Sequence, residues 1–363
     1  MKWSAVNSYK ARITLLFSTF LIIILTVTLI PACGGGGTTT TDGGGPTTAP
    51  PGAITLTLVS GWSDPWNGNV KLHEFVDRIN KESKGKLFIN YLGGAEVAPL
   101  SETGGLVRDG VFDMALVAPA YYAGLCPPAA MAHFVPPDPT VQRQLGITAQ
   151  FDTFLRQRMG CTTPGFIWQG ESFGIISSQP ITSADWKGML IHTLPILTAG
   201  LTYCGASTVS LTTAEFYVAL ERGVADAVPQ PRGSVPYDLR LYEVAKYLLM
   251  PELPLYTSGP LLINLKRWDR LPADMQKLIT DTLIDMEPGV YKYYVDSMNK
   301  YEGEMFKKGV KVTNLTGDDL KRYTFAFTTF AWQDMIRLNG DDGKKFFEKC
   351  RPLFEWAKTA PPY

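Results

Sequence analysis

Two tryptophans stand directly after the first stretch of chain that alternates apolar and polar side chains. Residues 54–59 have the two-residue period of a β-strand, and Trp62 and Trp66 follow in the sequence GWSDPW. Strand ends in open α/β sheets face the crevice in which ligands bind. Indole rings there stack on flat or apolar molecules, so we expect at least one of them in a binding cleft. The alternative is that they cap the core below the cleft.

Three more aromatic residues occupy comparable positions. Tyr121 and Tyr122 follow an apolar run that ends at residues 117–119, so one hydroxyl could point into the same cleft. Packing at a hinge is the alternative for this pair. Trp168 lies just before residue 173, where the pattern of strands and helices restarts, and this position is equally compatible with the cleft and with the core.

The sequence lacks the motifs of several enzyme classes. It contains no G-x-S-x-G nucleophile elbow, no H-E-x-x-H zinc motif and no P-loop. The three histidines, His73, His133 and His192, have no metal-ligand spacing. Glu171 and Glu102 could bind a hydroxyl, an amine or a cation, although carboxylates are common on any surface. We therefore expect a binding protein that needs no cofactor or metal, with an extracytoplasmic enzyme as the less favoured alternative.

The net charge restricts the possible partners of the protein, and the chain length indicates its domain organisation. The chain of 363 residues has 34 basic and 34 acidic side chains, and 45% of its residues are hydrophobic. A net charge of zero argues against a nucleic-acid partner, because binding to phosphates requires a basic field. The length favours two domains, and the composition is sufficient for a substantial core.

The first 53 residues have the features of an export signal and a tether. Lys2, Lys10 and Arg12 precede an apolar stretch at 13–30, and LIPAC then ends at Cys33. This order resembles the lipobox of bacterial lipoproteins, which predicts a signal peptide at 1–32 and lipidation of Cys33. The alternative is an uncleaved membrane anchor, since a span needs about 18 residues. Either arrangement places the rest of the chain outside the cytoplasm, in the periplasm or at the cell surface.

Residues 33–53 and the remaining cysteines add two expectations. The Gly/Thr/Pro-rich segment cannot pack, and as a flexible coil it would reach roughly 25 Å from a membrane.

Beyond Cys33 the chain has Cys126, Cys161, Cys204 and Cys350. An exported protein can form disulfides, and four thiols allow three full pairings. Buried free thiols are the other possibility, and no CxxC spacing indicates redox or zinc chemistry.

Hydrophobic periodicity predicts alternating strands and helices. The first part has strands near 54–59, 86–91 and 112–117, with helices near 72–79 and 100–109. Further strands are expected near 174–177, 189–193, 207–210 and 224–228, with helices at 195–203 and 212–222. An apolar strand at 256–265 is long enough to return to the first sheet. The chain is then mostly helical, for example at 275–307 and 320–338. This order indicates an α/β fold with a parallel sheet.

Five segments, in order, resemble the solute receptors of tripartite ATP-independent periplasmic (TRAP) transporters, the DctP-like family. They are FVDRINKESKGKL at 75–87, YLGGA at 91–95, LVRDGVFDMA at 106–115, DWKGMLI at 185–191 and ALERGVADA at 219–227. LYEVAKY at 241–247 fits the strand beyond them. The resemblance covers residues 54–345. Asp113 and Asp226 belong to matching segments, and we interpret both as turn-stabilising residues.

The resemblance implies a two-lobed periplasmic-binding-protein-like fold that closes on a small organic acid. It implies a first α/β lobe at 54–172, rejoined by the strand near 256–265, and a second at 173–255. Residues 266–363 would form a long inter-lobe helix and a helical C-terminus. The loaded receptor would dock on the membrane permease subunits of the transporter. A sensory binding module with a membrane partner is an alternative that the sequence does not separate from this function.

The chain departs from the family at the ligand clamp. The family usually has a ligand-clamping arginine where this chain has His192, so the resemblance implies that His192 lies in the binding site; the family's second arginine is also missing. Histidine cannot reproduce the planar fork of a guanidinium group. Gln230 stands where the family commonly has a ligand-binding asparagine, and Arg232 could replace the clamp or be a solvated loop residue. We therefore expect a monocarboxylate or similar polar-headed solute with an aromatic or apolar body.

Overall fold

A computed structural model describes residues 48–354, and within them ten strands form one mixed sheet. The signal segment, Cys33 and most of the tether lie outside the described residues. The strands are β1 (Ile54–Ser60), β2 (Leu87–Gly93), β3 (Met114–Leu116), β4 (Cys161–Thr162), β5 (Phe166–Ser177), β6 (Leu190–His192), β7 (Ser207–Val209), β8 (Ala227–Pro231), β9 (Tyr247–Asn264) and β10 (Lys311–Asn314).

The helices connect and cover these strands. The α-helices are α1 (Val70–Glu82), α2 (Leu100–Arg108), α3 (Pro139–Gln144), α4 (Ile147–Met159), α5 (Pro195–Tyr203), α6 (Phe216–Glu221), α7 (Ser234–Asp238), α8 (Leu265–Trp268), α9 (Ala273–Lys307), α10 (Gly317–Phe325) and α11 (Ala331–Cys350). A π-helical turn, Ala326–Phe330, joins the last two.

Two parallel groups of strands lie at opposite ends of the sheet. β1 pairs in parallel with β2 and β3, and β6 pairs in parallel with β7 and β8. The long antiparallel strands β5 and β9 run between them, since β9 pairs with β3 at one end and β5 pairs with β8 along its second half. The strand order β2-β1-β3-β9-β5-β8-β6-β7 gives the two-lobed α/β architecture that was expected.

The helix α1 shows how local sequence forms these elements. Its side chains Leu72, Phe75, Val76 and Ile79 recur at helical spacing and are all buried. Its last residues lead through Gly85, which has a φ of 81°, into β2. The buried amide of Asn80 then pairs with the backbone N–H and carbonyl of Ile89, which fixes helix and strand together.

The 35-residue helix α9 contacts both groups of strands through the elements around them. Near its middle, Glu287 forms a bidentate ion pair with Arg143 at 2.5 and 2.6 Å. One turn or more further on, the Tyr294 hydroxyl donates to the Gly68 carbonyl at 2.7 Å. The helix therefore supports the loop that follows β1.

Most predicted elements are present, although several differ in type, position or length. The segment 241–247 is not a strand, because Leu241–Glu243 forms a 3-10 turn and β9 begins only at Tyr247. The strand expected at 224–228 lies at Ala227–Pro231, and the helix expected at 320–338 is interrupted by the π-helical turn. β5 crosses residue 173 without a break, so the proposed lobe boundary there stays a prediction.

The four cysteines within the described residues are free and buried. Burial raises the pKa of the Cys126 thiol to about 11 and of the Cys161 and Cys204 thiols to about 12. Of the two possibilities left by the sequence, the structure has the buried thiols. Between residues 48 and 354, none of the helices combines the length and apolar composition of a membrane span.

Candidate functional site

A cavity of about 80 Å³ lies at the carboxyl ends of the strands. Its lining side chains follow the parallel strands of both groups or come from the long strands between them. They are Trp62, Trp66, Ala118, Ala120, Tyr121, His133, Trp168, Phe173, Leu194, Thr213, Gln230, Pro231, Val235, Asp238, Leu239 and Thr257. This position is where open α/β sheets bind their ligands.

Four aromatic residues, Trp62, Trp66, Tyr121 and Trp168, form what we call the aromatic wall. The ring centroids of Trp62 and Trp66 are 4.6 Å apart, at an interplanar angle of 31°. Trp168 meets both indoles edge-on at 4.9 and 4.7 Å, and Tyr121 meets Trp62 edge-on at 6.1 Å. These contacts hold the rings in one arrangement, so a ligand meets a preformed apolar surface.

A hydrogen-bonded loop holds the two indoles of Trp62 and Trp66. The buried Ser60 hydroxyl donates to the Asn69 side chain at 2.7 Å and accepts from the Trp62 backbone N–H. The Asn69 amide in turn donates to the Ser63 carbonyl at 3.1 Å. A β-carbon at Gly94 would lie 2.1 Å from the Trp62 carbonyl oxygen, so this loop requires glycine at that position.

Trp168 is held from behind by a buried carboxyl group. Its indole N–H donates to Glu171 at 2.8 Å, and the Ser234 hydroxyl donates to the other carboxyl oxygen at 2.9 Å. Glu171 is fully buried and lies in an irregular part of the pairing between β5 and β9. Bulges of this kind redirect side chains next to binding sites. Burial raises the pKa of Glu171 to about 7.

His133 lines the cavity although sequence reasoning did not select it. Its Nε2 accepts from the Ala120 backbone N–H at 3.3 Å, so Nδ1 carries the proton and donates to the Tyr256 carbonyl at 2.9 Å. Burial lowers the pKa of His133 to about 4. The ring is therefore neutral at pH 7, and the surrounding Pro- and Ala-rich sequence has no signal that marks it.

The remaining polar lining is mostly uncharged. Gln230 on β8, Thr213 and Thr257 present an amide and two hydroxyl groups. Asp238, at the end of α7, lies on the exposed edge of the cavity, and desolvation of its carboxylate raises its pKa. Sequence reasoning missed Asp238, although it lies on the short helix that follows β8, the strand that contains Gln230.

His192 does not line the cavity, contrary to the expectation from the family clamp. Its side chain is buried beside Phe216, with ring centroids 4.7 Å apart, and Nδ1 accepts from the Leu211 backbone N–H at 3.2 Å. Burial lowers its pKa to about 4, so the ring is neutral. It supports the chain segment behind Leu194 and Thr213, which do line the cavity.

Arg232 does not replace the missing clamp. The guanidinium group donates to Glu252 at 3.0 Å and lies 3.5 Å from Glu302 of α9. It is only 7% exposed and is absent from the lining. The side chain of Arg232 passes close to Gly174 of β5 and ends between Glu252 of β9 and Glu302 of α9.

Tyr122 is also a core residue rather than a cavity residue. Its side chain is 2% exposed and packs against Gly104 of α2. The structure therefore brings Trp62, Trp66, Tyr121, Trp168 and Gln230 together in the cavity. Glu171 lies directly behind Trp168, while the side chains of His192, Arg232 and Tyr122 face elsewhere. The exposed Glu102 lies on α2, outside the lining.

The fold and the cavity define a two-lobed α/β binding protein. The family model for the bacterial extracellular solute-binding protein, family 7 (DctP), matches residues 59–336. The chain therefore belongs to this family, as the order of its sequence segments indicated.

Three known proteins illustrate the similarity. A solute-binding protein of Albidiferax ferrireducens is 25% identical over 292 residues, covering 74% of this chain and 83% of that protein. A monocarboxylate 2-oxoacid-binding periplasmic protein of Nostoc sp. is 22% identical over 254 residues, covering 67% of this chain and 68% of that protein. The crystal structure of a TRAP periplasmic solute binding protein from Desulfovibrio salexigens, with bound orotic acid, superposes with a TM-score of 0.73 at 21% identity. It covers 84% of this chain and 99% of that one.

Proposed function

We propose that this protein is the extracytoplasmic solute receptor of a TRAP-type transporter. It binds a small organic acid with an aromatic or apolar body in the cavity beside the aromatic wall and delivers it to a membrane permease. The observation that carries the proposal is a preformed cavity at the strand ends in a chain of the solute-binding family. The protein acts by binding and release, without chemical turnover.

The chemistry of the lining supports a single carboxylate on the solute. Gln230, Thr213 and Thr257 offer neutral donors, and hydrogen bonds to a charged group are stronger than those between neutral groups. The relatives point the same way, because one of them is named for binding monocarboxylate 2-oxoacids and a structural neighbour holds orotic acid. The aromatic wall covers the apolar body of such a molecule.

A thermal-shift screen tests the binding step. Organic acids, sugars and amino acids are added to the purified protein, and a true ligand at 100 times its Kd adds about 2.7 kcal/mol of stability. We expect monocarboxylates with a ring or an alkyl body to stabilise the protein. Stabilisation by sugars alone, or by dicarboxylates alone, would contradict the proposed solute class.

We further propose that the receptor is lipid-anchored through Cys33. The support is the order of basic, apolar and LIPAC segments before a Gly/Thr/Pro-rich tether. The basic, apolar and LIPAC segments lie outside the described residues. In a bacterial host, the full chain should incorporate labelled fatty acid and fractionate with membranes, whereas a Cys33→Ser variant should do neither. Equal fatty-acid incorporation by both chains would exclude Cys33 as the anchor.

A further inference from the structure

The charges that line the cavity are unusual for a protein that binds organic acids. Of the lining residues in the described part of the chain, none is lysine or arginine, and the one carboxylate is Asp238. Asp238 forms no ion pair with any residue between 48 and 354. Desolvation raises the pKa of the Asp238 carboxyl, and the nearby backbone N–H of Asn67, in the loop after β1, partly offsets that increase.

The nearby groups that could supply a positive charge are neutral or already paired. Arg232 is paired with Glu252 of β9 and lies 3.5 Å from Glu302 of α9. His133 and His192 are both buried and neutral at pH 7, because burial lowers the pKa of each to about 4. A second ligand carboxylate would therefore be desolvated with no cation to compensate it, and the free energy of binding would be unfavourable for a dianion.

The indole faces and the carboxylate that line the cavity can bind a cationic group. The half-buried Trp62 and Trp66 rings line the same cavity as the Asp238 carboxylate. Indole faces attract ammonium groups, and a carboxylate beside them adds a counter-ion. Behind Trp168 lies a second carboxyl group, that of Glu171, and the described residues that line the cavity include no lysine or arginine.

We infer that the solute of this cavity carries a cationic nitrogen, which Asp238 and the aromatic wall recognise, together with at most one carboxylate. This inference rests on the proposed function, because it specifies the solute class of the same cavity. The uncharged donors Gln230, Thr213 and Thr257 bind the carboxylate, and Asp238 binds the nitrogen. The receptor thereby selects zwitterionic solutes over dicarboxylates.

Isothermal titration calorimetry with matched compounds tests the inference. One series is L-phenylalanine, 3-phenylpropionate, phenylsuccinate and 2-phenylethylamine, and a smaller one is L-proline, cyclopentanecarboxylate and pyrrolidine. In at least one series the amino acid should bind about tenfold or more tighter than the acid without nitrogen. Asp238→Asn should abolish that preference, whereas Asp341→Asn, on an exposed position of α11, should leave it unchanged.

The outcomes separate this inference from the proposed function. If only the nitrogen-free acids bind, the receptor function stands and the cationic nitrogen is excluded. If the preference persists in the Asp238→Asn protein, Asp238 is not the counter-ion and the inference is overturned. If no compound in either series binds, both the inference and the proposed solute class fail. Tighter binding of phenylsuccinate than of phenylalanine also overturns the inference.

Discussion

The hydrogen bonds from Trp168 to Glu171 and from Ser234 to Glu171 connect the cavity to its support. One carboxyl group receives an indole N–H from the aromatic wall and a hydroxyl from the start of α7. Because Glu171 is fully buried, water does not compete for these bonds. At the scale of single residues, the position of the aromatic wall therefore depends on a group that the ligand does not touch.

Glu171 should make stability depend on pH in a direction opposite to that of ordinary carboxylates. Its pKa rises from 4.5 in the unfolded chain to about 7 in the folded protein, so the folded state binds the proton more tightly. The resulting stability is complete below pH 4.5 and is lost between pH 4.5 and 7. The shift corresponds to a change of about 3 kcal/mol. Glu171→Gln should remove this pH-dependent part of the free energy of unfolding. Urea denaturation at pH 5 and pH 8 measures the difference.

Two comparisons isolate this effect. His133 and His192 have lowered pKa values and change stability in the opposite direction as the pH rises, but they are present in both proteins and cancel in the difference. Glu102→Gln, at an exposed position, should behave like the unmodified protein. An identical pH dependence for the unmodified protein and Glu171→Gln would show that Glu171 is ionised in the same way folded and unfolded.

Removing one indole from the aromatic wall should weaken ligand binding. Trp66 is half-buried where it lines the cavity, and a bound solute would cover its remaining surface. Trp66→Ala should raise the Kd of any bound solute by about tenfold or more, because a buried aromatic surface of this size stabilises a complex by 1.5 kcal/mol or more. Calorimetry measures the change. Tyr203→Ala, on an exposed aromatic cluster outside the cavity, should have no effect on the Kd.

At the scale of elements, the segment between β8 and α7 packs against α9. This contact shapes the part of the cavity that β8 and α7 line. Gly233 lies between β8 and α7 with a φ of 85°. A β-carbon there would come within 2.5 Å of the Met298 carbonyl oxygen on α9. The chain therefore approaches the backbone of α9 as closely as glycine allows.

Substituting Gly233 should be costly for that reason. Gly233→Ala combines a left-handed backbone conformation with a backbone clash, and we expect a loss of about 3 kcal/mol or more in the free energy of unfolding. Gly309→Ala is the matched control, because its φ is 93° and no atom lies within 4 Å of the added carbon. Its loss should be about 1 kcal/mol. Equal losses in urea denaturation would mean that the close approach to α9 is not required.

At the scale of the whole molecule, the thiols report on the integrity of the core. Cys126, Cys161, Cys204 and Cys350 are all buried in one hydrophobic cluster. In a chain with Cys33 replaced by serine, a thiol reagent such as DTNB should label none of them in the folded state and all four in denaturant. Rapid labelling of one thiol without denaturant would reveal local opening at that position.

Much of the fold could be predicted because its signals are local. The helix α1 and the strands β1, β2 and β3 follow from periodicity within about ten residues each, and the parallel pairing follows from their alternation. The full length of β5 and β9 could not be predicted. Their pairing is shifted at several positions, and the residues that match across it are 70 or more apart in sequence.

The sequence by itself determined the family, the α/β architecture and the part of the cavity that follows directly from strand ends, namely Trp62, Trp66, Tyr121 and Gln230. Only the tertiary structure decided which neighbouring side chains face the solute. It turned Arg232 onto α9, buried His192 against Phe216, and brought His133 and Asp238 to the cavity. The reason is physical: a periodic pattern marks which face of an element is apolar, but the direction of a side chain at a turn depends on packing between segments distant in sequence.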